Sequence, residues 1–159
     1  MRCRMGTLLL TSKGDEKMKF SKLLVGAAVF GLLSAGLAYA DDYLGGIVKS
    51  AEVGGKEILT GANGMTLYTW EKDTQGTASS PAVSNCYDQC AVNWPVLWAP
   101  ADTAVSGDWS LIDRTDATGA AAGMKQVVYK GWPLYYWIKD TKPGDTTGDG
   151  VGVWHTAVE

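Results

Sequence analysis

The sequence predicts an all-β domain. Two tandem four-stranded repeat units form an eight-stranded barrel or sandwich with approximate two-fold symmetry, and one short helix lies near a cysteine pair. Three observations predict this. The octamer Leu67–Thr74, LYTWEKDT, returns at Leu134–Thr141 as LYYWIKDT, with six of eight letters shared at a spacing of 67 residues. Gly, Asn, Asp and Thr interrupt the chain every 6–12 residues beyond residue 40, and the runs between them are rich in Val, Ile, Tyr, Trp and Thr, the pattern of short strands and turns. Long apolar stripes at helical period are missing from the same region.

The elements follow in order. In repeat 1, about residues 47–98, Ile47–Glu52 is a strand closed by Gly54-Gly55, and Lys56–Thr60 is a strand closed by Ala62-Asn63-Gly64. Thr66–Glu71 is the third strand and Asn93–Trp98 the fourth. Repeat 2, about residues 109–158, copies the plan. Trp109–Arg114 is a strand, Ala117–Gly123 a turn-rich link and Met124–Tyr129 a strand. The two-residue turn Lys130-Gly131 leads into Pro133–Ile138, and Gly152–Val158 is the fourth strand. Asp73 to Trp94 spans 21 residues where Asp140 to Trp154 spans 14. The surplus holds Cys86 and Cys90, and Ser84–Ala91 is the expected helix. A lone unit exposes one apolar face, and pairing two units closes a core.

The N-terminal region is read separately. Met18–Lys22 is basic, Leu23–Leu37 is uncharged and apolar, and Ala38-Tyr39-Ala40 precedes Asp41-Asp42. These are the three parts of a secretory signal peptide over 18–40. Residues 1–17 precede it and are expected to be a non-native extension, with Met18 the true start. The single β domain is then 41–159. It carries eight Lys plus Arg against fifteen Asp plus Glu, a net charge of −7. Such a surface repels phosphate backbones, so nucleic acid is excluded as a partner. No stable membrane span is expected after cleavage, and the address is periplasmic or secreted.

Period two sorts the octamer into faces. Tyr68, Trp70 and Lys72 share one face, as do Tyr135, Trp137 and Lys139, and these residues are identical between copies. Asp73 and Asp140 stand just before loops, where an aspartate hydrogen-bonds backbone amides two residues on. The candidate ligand-binding residues are therefore Tyr68, Trp70, Asp73, Tyr135, Trp137 and Asp140, two aromatic platforms able to hold a flat ligand.

The doubled Tyr-x-aromatic-x-x-Asp pattern behind a secretion signal resembles a secreted-repeat family of unknown function, described as predicted lipoproteins with a Y-x-(F/W/Y)-x-x-D motif. "LYTWEKD", "CAVNWPVL", "YKGWPLYYWIKD", "PGDTTGDG" and "GVWH" carry the resemblance, which covers Lys56 to His155. The resemblance implies a secreted or periplasmic module and implies no activity. Many members carry a lipidated Cys, and no Cys stands at the end of this chain's apolar stretch.

Other chemistry is weighed residue by residue. Cys86 and Cys90, an even pair in an oxidising compartment, read first as a disulfide. In a regular helix positions i and i+4 lie near the upper Cα limit for that bond, so a turn is expected there. The alternative is a metal- or haem-associated accessory protein in which Cys86, Cys90 and His155 are ligands for copper or zinc. The Cys-x-x-Cys-His motif of covalent haem is absent. Asp145–Gly150 offers a partial calcium loop that lacks the Glu needed at its twelfth position, and reads better as a β-turn. His155 reads as a half-buried histidine bonded to backbone. A hydrolase is the weaker alternative, since no Ser-His-Asp or nucleophile-elbow pattern occurs. The expected function is a non-enzymatic module, without cofactor, that binds a small ligand or an envelope protein.

Overall fold

The computed structural model describes residues 39–159. The expected extension over 1–17 and the expected signal peptide up to residue 38 lie outside the described residues. Tyr39 and Ala40, placed by the sequence at the end of that signal, run into the first strand. The elements are β1 (Tyr39–Tyr43), β2 (Val48–Val53), β3 (Lys56–Gly61), β4 (Tyr68–Trp70), α1 (Gln89–Asn93), β5 (Trp98–Pro100), β6 (Trp109–Ile112), β7 (Met124–Tyr129), β8 (Trp132–Pro133) and β9 (Trp154–Thr156). Among the described residues, no helix is long and apolar enough to cross a membrane.

The domain is mostly β with one small helix, as expected. The eight-stranded barrel is not what forms. Among the described residues, nine strands make three antiparallel sheets: β1-β2-β3, the pair β4-β9, and β5-β7-β6 with β8 on β7. The strands are too short and too interrupted to close on themselves. The third strand of each unit contracts to Tyr68–Trp70 and, in repeat 2, to β8 plus isolated bridges at Tyr135. The expected strand Asn93–Trp98 starts late, as β5 at Trp98, with a bridge at Val96.

The larger correction concerns the fourth strands. Each was assigned to its own unit, and each pairs with the other. β9, from repeat 2, lies on β4 of repeat 1, with Tyr68 opposite Thr156 and Trp70 opposite Trp154. Val96, from repeat 1, bridges Tyr135 of repeat 2, and β5 pairs with β7. Two matching rings of backbone hydrogen bonds result. Leu59 donates to Ala157, Ala157 to Leu67 and Leu67 to Leu59, at 2.8, 2.8 and 2.9 Å. Val127 donates to Leu97, Leu97 to Leu134 and Leu134 to Val127, at 3.0, 3.1 and 3.0 Å. Each ring joins a hairpin of one repeat to the tail of the other.

The core follows from that exchange. Leu59, Leu67 and Ala157 from one ring pack with Val127, Leu134 and Leu97 from the other in a single cluster. Full burial of each of its leucines stabilises the fold by roughly 1.5–3 kcal/mol. A second cluster holds Tyr68, Cys86, Trp94, Val96, Tyr135 and Trp154. The expected helix over Ser84–Ala91 shortens and moves to Gln89–Asn93, because Asp88 adopts φ 50 and breaks helical geometry ahead of it.

Candidate functional site

The two octamers meet at the centre of the molecule. Tyr68 and Tyr135 form an antiparallel bridge, each amide donating to the other's carbonyl at 2.8 and 3.0 Å. Both side chains are completely buried. A buried hydroxyl needs a partner, and each finds it in the opposite repeat. Tyr68 donates to Asp140 Oδ2 at 2.6 Å, and Tyr135 donates to Asp73 Oδ2 at 2.7 Å. The other oxygen of each carboxylate faces its own loop: Asp73 Oδ1 accepts the Asn85 amide at 2.7 Å, and Asp140 Oδ1 accepts the amide and hydroxyl of Thr147 at 3.0 and 2.6 Å. The aspartates thus cap loops, but the amides lie twelve and seven residues on rather than two. Both loops fold back across the tyrosines before they are capped.

Burial, and next the bonded Asp140, push the Tyr68 phenol far above its usual range. Burial and the charge of Asp73 do the same to Tyr135. Burial also raises Asp73, although the Asn85 amide, the Tyr135 hydroxyl and the Arg114 charge all favour its carboxylate. These phenols are hydrogen-bond donors at any ordinary pH.

Around this centre stands a column of four indoles. Trp70 stacks on Trp154 (centroids 5.1 Å, planes 9° apart), Trp154 on Trp94 (3.8 Å, 7°) and Trp94 on Trp137 (4.0 Å, 26°). Tyr68 and Tyr135 meet the middle pair edge-on, at 5.4 and 5.1 Å. Lys72 Nζ lies 5.8 Å from the Trp70 ring and Lys139 Nζ 5.5 Å from that of Trp137. The middle indoles are buried and the end ones half-buried. A cation over an indole face is worth about 0.5–1 kcal/mol where water still reaches it.

One group that organises this region carries no motif. Arg114 is the only arginine after residue 4, and it is buried. Its guanidinium donates to Asp116 with two nitrogens (2.8 and 2.7 Å), to Gln126 Oε1 (3.0 Å), to the Cys86 carbonyl (2.6 Å) and to Ser84 Oγ. Ser84 Oγ lies 2.6 Å from Tyr135 Oη. A directed chain therefore runs from Arg114 through Ser84 and Tyr135 to Asp73. Burial opposes the arginine's charge, but Asp116 outweighs it and raises its pKa; the same hydrogen bond holds Asp116 low. The signal available in the sequence was a single Arg among the lysines beyond residue 40, which favours a fixed bidentate role.

Cys86 and Cys90 form the expected disulfide, with Cα atoms 5.2 Å apart. The turn at Asp88 provides the close approach that a regular helix would deny. Both sulfurs lie in that bond. His155 is not brought near them and is not half-buried against backbone. It is exposed on β9 with Nε2 2.7 Å from Glu71 Oε1, across the β4–β9 pair. Asp145 Oδ2 accepts the Thr141 and Lys142 amides at 2.9 and 3.1 Å, and Asp149 Oδ1 accepts the Thr156 amide at 2.8 Å. The loop's carboxylates thus tie backbone. A groove of about 580 Å³ runs between Gly76–Ala82 and the open edge of β6.

Comparison with known proteins agrees with this architecture. No curated protein and no solved structure matches the chain. One family model, described as a secreted repeat of unknown function, matches twice, over residues 49–98 and 117–158. The two matched regions are the two units that exchange their fourth strands and share the Tyr–Asp bonds. With more than half of its length matched in this paired way, the chain belongs to the secreted-repeat family of unknown function.

Proposed function

We propose that the protein is a non-enzymatic envelope or extracellular module that binds a small ligand at the ends of its indole column. The observation that carries this reading is the column itself, which leaves Trp70 beside Lys72 and Trp137 beside Lys139 at its two half-buried ends. Tyr68, Tyr135, Asp73 and Asp140 support those platforms from within, because their polar atoms are already bonded to each other and to loops. The carboxylates of Asp73 and Asp140 already accept from buried phenols and from loop donors, which favours a supporting role over attack on a substrate. The net charge of −7 over 41–159 disfavours polyanions, so a neutral ligand with a flat apolar face, such as a β-linked hexose oligosaccharide, fits best. Titration calorimetry with such oligosaccharides tests it. Saturable heat that disappears in Trp70→Ala plus Trp137→Ala is expected. Absence of heat up to millimolar ligand would remove the small-ligand reading and leave an envelope protein as the partner.

A further inference from the structure

We infer that each repeat is half of a strand-exchanging pair, and that the surface one repeat offers the other also fits the corresponding repeat of a second copy of this chain. The features that join the two halves of the core cross between repeats. The Tyr68–Tyr135 bridge, both Tyr–Asp hydrogen bonds and the β4–β9 pair each take one partner from each half, and each backbone ring takes two residues from one half and the third from the other. The indole column alternates likewise: Trp70 and Trp94 come from repeat 1, Trp154 and Trp137 from repeat 2. None of these contacts depends on the two halves being covalently joined. Covalent joining rests on one segment, Ala101–Asp108, which is exposed apart from the half-buried Thr103.

That linker decides whether the exchange closes within one chain. β5 and β6 flank β7 on opposite sides, with Pro100 opposite Met124 and Trp109 opposite Tyr129. The gap to be crossed is two strand spacings sideways and five residues along, about 20 Å. The native linker makes nine Cα steps and reaches about 30 Å, so it spans the gap with slack. A tether of this length holds the second half at roughly millimolar effective concentration, and the chain closes on itself at ordinary protein concentrations. Deleting Asp102–Ser106 leaves four steps and a reach of about 14 Å, too short for closure. Repeat 1 of one chain must then take repeat 2 of another, and the reverse, with every native contact kept.

The test uses the full chain with that deletion, measured by light scattering after size exclusion. A reciprocal dimer of twice the monomer mass is expected, while the native-linker chain remains monomeric. Thr69→Cys with His155→Cys, two residues directly opposite each other on β4 and β9, marks which chains have exchanged. The shortened chain should give a covalent dimer on a non-reducing gel, and the native-linker chain an internal crosslink. A folded shortened chain that stays monomeric overturns the inference, as does an oligomer without the interchain crosslink. Should the shortened chain not fold, the native-linker double-cysteine protein is unfolded and refolded above the roughly millimolar effective concentration of its own tether. Crosslinked dimer there supports the inference, and monomer alone overturns it.

Discussion

The exchanged Tyr–Asp bonds give the repeats a measurable grammar: Tyr68 should be coupled to Asp140 and not to Asp73, its neighbour in sequence. Tyr68→Phe deletes one hydrogen bond of 2.6 Å to a buried carboxylate and the acceptor of a longer bond from the Gly148 amide at 3.3 Å. A hydrogen bond to a charged group is worth about 1.5–3 kcal/mol. Asp140 keeps its two bonds from Thr147, so the loss should sit near the lower end, about 2 kcal/mol. With a urea m-value of about 2 kcal/mol per molar, the midpoint falls by roughly 1 M. Unfolding followed by tryptophan fluorescence across a double-mutant cycle then isolates the pair. Tyr68→Phe with Asp140→Asn should show a coupling of about 1–2 kcal/mol, whereas Tyr68→Phe with Asp73→Asn should be additive within about 0.5 kcal/mol. Equal coupling to both aspartates would refute the crossed pairing.

Arg114→Met should cost about 3 kcal/mol or more, since Asp116, Gln126, Ser84 and the Cys86 carbonyl all lose a buried donor; equilibrium urea unfolding measures it. The depressed Asp116 carboxyl adds stability above the ordinary aspartate range that is lost as pH falls through its folded value, so the deficit of Asp116→Asn should be full at neutral pH and fade below about pH 4. Asp73 has the opposite sign: its raised pKa means that the wild type loses ground to Asp73→Asn as pH rises through the aspartate range, read from urea midpoints against pH. Gly148→Ala places a methyl 2.9 Å from both Trp94 Cη2 and the Tyr68 ring, and such overpacking should cost about 1–3 kcal/mol with a changed near-ultraviolet spectrum. Cys86→Ser with Cys90→Ser removes a five-residue loop closure worth about 2 kcal/mol; the domain should stay folded while residues 80–92 become sensitive to limited proteolysis.

Much of this was legible in the sequence, and the failures share a cause. Period and punctuation located β2, β3, β7 and the Lys130-Gly131 turn within a residue or so, because those strands pair with near neighbours. The duplicated octamer announced equivalent positions. It could not say that Tyr68 would be bonded to Asp140, because identical repeats satisfy the same local pattern whether a partner comes from the same copy or the other. The exchange of β9 and the tail at Val96 was hidden for that reason. Arg114 was missed because its five hydrogen bonds reach residues 2 to 30 positions away with no fixed spacing. His155 was misplaced because a strand's outward face depends on which neighbour covers it.

The indole column has an optical consequence. Trp94 and Trp154 lie nearly parallel at 3.8 Å, with Trp70 and Trp137 outside them, so their electronic transitions cannot be treated as independent chromophores. Excitation should be shared along the stack and produce an excitonic couplet of opposite-signed circular dichroism bands in the far ultraviolet, overlying the backbone signal of this short-stranded domain. A spectrum fitted for secondary structure alone would then misstate the β content. The same couplet would serve as a reporter of assembly, since two of its four chromophores come from each repeat and it vanishes when the halves part.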